Sequence, residues 1–129
     1  EHAPEARIAL IGVAEMLLRS AQALLTDGSA EEVVEMLHHV DTLTRDAAPP
    51  TSALEHMRQW TRLRMDRLLL QARHKQARFR SAATIARSVV DAVSGPLHAI
   101  WEVPTAQLNL AAALSSAGQH RGALGHSYA

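Results

Sequence analysis

Between Pro4 and Thr26 the apolar residues Ile8, Ile11, Ala14 or Met16, Leu18, Ala21, Leu24 and Leu25 recur at three-and-four spacing. That spacing predicts an amphipathic helix. Asp27-Gly28 ends it. Ser29 stands where an N-cap belongs, with Glu31 and Glu32 in the first turn, where negative charge suits the helix dipole. Val33, Met36, Leu37, Val40 and Leu43 carry a second stripe as far as Ala47-Ala48-Pro49-Pro50, because a residue before proline is pushed out of helical geometry. Thr51 or Ser52 can cap a third and longest helix, which runs through Leu54, Met57, Trp60, Leu63 and Leu68-Leu69-Leu70 toward Ala77.

A fourth stripe, Ala82, Ile85, Ala86, Val89 and Val93, has its own phase and ends at Ser94-Gly95-Pro96, so the chain turns somewhere between Gln76 and Phe79. No glycine or proline marks that turn. A fifth helix leads through Leu108, Leu110, Ala111 and Leu114 to Ala117-Gly118, and a sixth is expected from about Gln119 to Ala129. Pro104 either opens the fifth helix in its first turn or kinks one that began near Leu97, and the first option is preferred. The pattern thus describes three helical hairpins, roughly 4–46, 52–94 and 97–129, forming one domain of a longer protein.

The turns align with one another. Gly28-Ser29-Ala30-Glu31-Glu32-Val33 pairs with Ala77-Arg78-Phe79-Arg80-Ser81-Ala82 and with Gly118-Gln119-His120-Arg121-Gly122-Ala123, at intervals of 49 and 41 residues. The segment from Leu108 through Ala111, Leu114, Ala117-Gly118 and Ala123 to Leu124 resembles the tetratricopeptide repeat superfamily, in which small residues let the two helices of a hairpin approach. The long intervals are similar to those of the repeat regions of bacterial LuxR or MalT-type regulators. Asp66 and Arg73 depart from the pattern, standing where it expects apolar residues. The resemblance implies an all-α fold, a right-handed superhelix of about three hairpins, and a non-catalytic protein-interaction or regulatory module of a larger bacterial signalling or transcription-regulatory protein. It also implies that first helices line a groove for a peptide or partner helix. Its inward residues would be Glu15, Leu18, Gln22 and Leu25 in the first unit, Arg64, Arg67, Gln71 and His74 in the second, and Thr105, Leu108, Ala112 and Ser115 in the third. Arg64 and Arg67, three apart, would offer forked donors to a carboxylate, and Asn109 sits at a position where the family often carries asparagine. The partner-binding set is therefore Arg64, Arg67, Gln71, His74, Leu108, Asn109 and Ala112.

Composition agrees with helix: in 129 residues there are two Trp, one Tyr and one Phe, leaving little material for strands. Charge changes the picture more. Net charge is zero, yet residues 1–57 hold ten acids and three bases, while residues 58–87 hold eight arginines and Lys75 against the single acid Asp66. Two readings stand open: the halves neutralise each other across helix contacts, or the basic segment awaits an acidic partner. The alternative function is a nucleic-acid-binding helical domain using segment 58–87, although only Trp60 and Phe79 interleave its arginines.

The chain has no cysteine, which removes disulfides, thiolate metal sites and cysteine nucleophiles. No run of 18 apolar residues and no basic-then-apolar leader occurs, so a cytoplasmic location without membrane attachment is expected. Eight histidines raise a metal question. Glu35-Met36-Leu37-His38 has the spacing of a di-iron half-site, but one copy does not make such a centre, and the other histidines are scattered. No phosphate loop, nucleophile elbow or His-Glu-x-x-His is present. Neither catalysis, a metal nor a cofactor is expected. Trp60 reads as core, and Trp101 either packs at a connection or marks an exposed contact. Self-association through an exposed terminal helix is a further expectation.

Overall fold

A computed structural model describes residues 4–45 and 52–123, and among them every regular element is helical. α1 spans Pro4–Asp27, α2 Ala30–Arg45, α3 Ser52–Lys75, α4 Phe79–Ser94 and α5 Val103–Ala123, with one 3-10 turn at Ile100–Glu102 before α5. The Ala47–Pro50 break and the Thr51 cap lie outside the described residues.

Local chemistry explains the boundaries. Gly28 donates its N–H to the Leu24 carbonyl at 2.6 Å and lies so close to that turn that a Cβ would come 3.0 Å from the same oxygen. Only glycine fits there without a shift. The Ser29 hydroxyl then accepts the N–H groups of Glu31 at 3.1 Å and Glu32 at 3.4 Å, as an N-cap does. It also donates to the Glu31 carboxylate at 2.8 Å, holding that group below the usual carboxylate range.

The unmarked turn falls at Gln76–Arg78. Arg78 donates to the Arg73 carbonyl at 2.9 Å and Ala77 to that of His74 at 3.0 Å, the two bonds of a Schellman ending. That ending needs a left-handed residue, and Ala77 supplies it at φ 58°. Pro104 sits in the first turn of α5, where its missing N–H costs nothing.

The first two hairpins are built to one measure, with helices of 24 and 16 residues in each. Buried Val33, Leu37, Val40 and Thr44 of α2 stand 49 residues before Ala82, Ala86, Val89 and Val93 of α4, and these are buried too. The fillings differ. Leu18, Leu25, Leu37 and Met65 join α1, α2 and α3 in a core of large side chains, Leu63, Val89, Val93 and Leu97 join α3 and α4 to the start of α5, and Ala82, Ala83, Ala86 and Ala113 hold the middle of α5 against α4. Alanines bring helix axes close and exclude little apolar area.

Each helix packs on its neighbour in chain order, and α1 also packs on α3. The row therefore has α1 at one end and α5 at the other. One expectation is corrected here: the turn at Ala117-Gly118 is not formed, because α5 runs on through Gly118 to Ala123. A glycine costs a helix interior about 1 kcal/mol, too little to end it unaided. Nothing approaches within 4 Å of where a Gly118 Cβ would be, so no neighbour forces a break. The remainder of the sixth helix expected there, residues 124–129, lies outside the described residues.

Candidate functional site

On α3, residues 67, 71, 74 and 75 recur at the spacing that keeps side chains on one helical face. Arg67, Gln71, His74 and Lys75 line one wall of a groove of about 450 Å³, and Asn109, Ala112 and Ala113 of α5 line the other. A second groove of about 330 Å³ continues across α3 to α1, lined by Leu18, Arg19 and Gln22 on one side and by Arg64, Arg67 and Gln71 on the other. Arg67 and Gln71 belong to both. α1, α3 and α5 thus share one grooved surface.

Of the seven residues expected to bind a partner, Arg67, Gln71, His74, Asn109 and Ala112 meet in the larger groove. Arg64 lies in the smaller one. Leu108 does not join them: it is 70% exposed, on the side of α5 opposite buried Ala106 and Ala113. Lys75, the only lysine in the chain, was missed although it completes the Arg67–Gln71 spacing by one more turn. Its ammonium also donates to the Leu25 carbonyl, covering the C-terminal end of α1.

The expected arginine clamp is already occupied. Arg64 pairs with Glu15 of α1 and Arg67 pairs with Glu102 beside α5. Thr61, buried, donates to the same Glu15 carboxylate at 2.8 Å. Burial presses the Arg67 guanidinium below its ordinary pKa. Elsewhere Arg58 pairs with Glu55 at 2.8 Å and Arg62 with Asp41 at 2.9 Å. Glu15 and Asp41 come from the acidic stretch 1–57, so Arg64 and Arg62 of the basic segment are neutralised across helix contacts, while Glu55 pairs with Arg58 within α3 itself. These half-exposed pairs are worth about 0–1 kcal/mol each and act mainly to set register.

Among the described residues no acidic side chain lines either groove. The larger offers the His74 ring, held edge-on to Phe79 with centroids 5.3 Å apart, and the amides of Gln71 and Asn109, over a floor of Leu70 and Ala113. It can accept an apolar ridge and donate to carboxylates at its rim.

On the other side of α3 a cleft of about 250 Å³ holds Asp66, Arg73, Arg62, Asp41 and His38. The Arg73 Nε is buried there with no hydrogen-bond partner, while its Nη1 donates to Gln76 at 3.0 Å. Asp66 and Arg73 are the two polar departures from the repeat pattern, and both sit in this cleft.

Among the described residues no three histidine or acidic side chains converge as metal ligands. Trp101 is 72% exposed, so it marks a surface, not a packed connection. Within α1, Ile8–Asp27 has the length and apolarity to cross a membrane, at a mean hydropathy of 1.6, but its inner face packs into the core through Ala14, Leu18, Ala21 and Leu25. Neither a protein-family model, nor a curated protein, nor a solved structure matches this chain.

Proposed function

We propose that the chain is a non-catalytic protein-interaction module that takes a peptide or partner helix carrying acidic residues in the groove between α3 and α5. One observation carries the reading: Gln71, His74 and Lys75 of α3 and Asn109 of α5 line the same groove beside Arg67, which pairs with Glu102, and among the described residues no carboxylate lines it. The acids that could have filled it, Glu15 and Glu102, instead fix the helices that form it. A regulatory role within a larger bacterial signalling or transcription-control protein rests on the repeat resemblance alone. The nucleic-acid reading is the weaker one, since carboxylates engage Arg58, Arg62, Arg64 and Arg67 of the basic segment.

The test is selection from a displayed library of random peptides on the immobilised chain. Fluorescence anisotropy then compares the selected peptides on the parent and on a Gln71→Glu/Asn109→Asp variant, which changes each wall by one charge. Enrichment of Asp and Glu, and binding weakened by about tenfold in the variant, roughly 1.4 kcal/mol, are expected. Peptides without acidic enrichment, or equal binding by the variant, refute the groove. Retention of single- or double-stranded nucleic acid with a steep salt dependence would move the basic segment to first place.

A further inference from the structure

The cleft between α2 and α3 holds two charged groups that the fold leaves without partners. Of the two acids and two arginines that line it, Asp41 and Arg62 engage each other, and Arg62 also donates to the Thr44 hydroxyl at 2.8 Å. Asp66 and Arg73 are left over. Among the described residues no hydrogen bond reaches the Asp66 carboxylate, and Arg73 makes one, from Nη1 to Gln76 at 3.0 Å. Its Nε is shut off from water without an acceptor, and its Nη2 has no partner among the described residues. Burial pushes the Asp66 carboxyl up to about 6. A desolvated carboxylate with no partner costs the fold stability, and in a cleft a ligand can supply that partner.

Spacing fixes how the two groups stand. Residues 66 and 73 share one face of α3 and are separated by two turns, about 10 Å of helix axis. Leu69 comes between them on that face, and Val34, Leu37 and Met65 add apolar wall to the same cleft. A ligand of one charge suits only one end: an anion leaves Asp66 desolvated, and a cation leaves Arg73 without an acceptor. A ligand that answers both carries a cationic donor for Asp66, a carboxylate for the Nε–Nη2 edge of Arg73, and methylenes between them. Volume sets its size. A cleft of about 250 Å³ matches about eight liquid waters, and so a ligand of about eight non-hydrogen atoms.

We propose that this cleft binds a short ω-amino carboxylic acid, with its ammonium on Asp66, its carboxylate on Arg73 and its methylenes along Leu69, Val34 and Leu37. δ-Aminovalerate has the required size. The site is independent of the groove on the other side of α3, with which it shares no residue.

Amide NMR shifts of the 129-residue chain, titrated with δ-aminovalerate at neutral pH, test it, with pentylamine and valerate as ligands of one charge each. Shifts should centre on residues 34–41 of α2 and 62–73 of α3. Affinity should exceed that of either one-charge ligand by about tenfold. Asp66→Asn and Arg73→Met should each bring δ-aminovalerate down to the level of a one-charge ligand, with circular dichroism checking that helix content is kept; Arg73→Gln replaces Arg73→Met if that variant loses it. ω-Aminooctanoate should bind more weakly, because the cleft fixes the spacing of the two charges. The proposal is overturned if δ-aminovalerate at millimolar concentration shifts no cleft amide, if pentylamine or valerate binds as well, or if either variant binds as the parent does. Nα-acetyl-lysine carries the same two charges beside an acetamido branch, as the lysine end of a protein would; tighter binding by it than by δ-aminovalerate assigns the cleft to a chain terminus and not to a free acid.

Discussion

Arg62 of α3 gives its guanidinium to Asp41 of α2 at 2.9 Å, and not to Asp66, one turn along its own helix. Among the described residues Asp66 receives no hydrogen bond. Burial pushes its carboxyl up to about 6, against the opposing pull of the Arg62 charge. An unfolded aspartate titrates near ~3.9, so the folded chain holds this proton more tightly than the unfolded one. The ionised form therefore destabilises the fold above about pH 6, and the penalty fades as the pH falls toward about 4. Asp66→Asn should raise stability by about 2 kcal/mol near pH 7 and by almost nothing near pH 4. Urea denaturation of both proteins at the two pH values measures this; an equal gain at both would show that the carboxylate's charge is not the cause.

Ala77 occupies a left-handed conformation that disfavours any side chain. Ala77→Gly should stabilise the protein by about 1 kcal/mol, and Ala77→Val should destabilise it, as read from urea midpoints. Loss of stability in the glycine variant would mean that α3 ends elsewhere.

Gly118 lies within α5. Gly118→Ala should therefore add about 1 kcal/mol of helix stability, with increased helical ellipticity. If the chain turned at this point, as the repeat pattern expects, the same substitution would cost stability instead.

Ala86 is 1% exposed and part of the alanine cluster between α4 and α5. Ala86→Leu should cost about 2 kcal/mol by overpacking that contact. Hydrogen exchange should locate the damage in α4 and α5, with α1 and α2 amides unchanged; uniform loss of protection would contradict the confinement of the alanine cluster to the α4–α5 contact.

Three helix boundaries were legible because specific residues mark them: Gly28 and Ser29 between α1 and α2, and the Ser94-Gly95-Pro96 stop after α4. The turn at Ala77 could be placed only to within a few residues, since an alanine forced left-handed leaves no compositional trace. Gly118 misled, because a glycine marks a turn only where the surroundings demand one. Helical spacing puts Arg67, Gln71 and His74 on one face of α3, but that this face lines a groove came only from the repeat resemblance. The pairing of Arg64 with Glu15 and of Arg67 with Glu102 was not legible, because these partners are 49 and 35 residues apart and meet only through helix packing. Local pattern could place the arginines on one helical face, but tertiary contact determines what they hold.

The alanine packing between α4 and α5 has a bearing on how the molecule opens. A row of helices touching mainly its neighbours unfolds in segments, and the segment with least buried apolar area opens first. Along the middle of α5 only the alanine cluster holds it to α4, while nearer its start Val89, Val93 and Leu97 join it to Leu63 of α3, and α5 is one wall of the larger groove. The groove accordingly spans a firm wall and a yielding one. An occupant that touches both fastens α5 to α3, and part of its binding energy appears as slowed exchange of α5 amides far from any contact it makes.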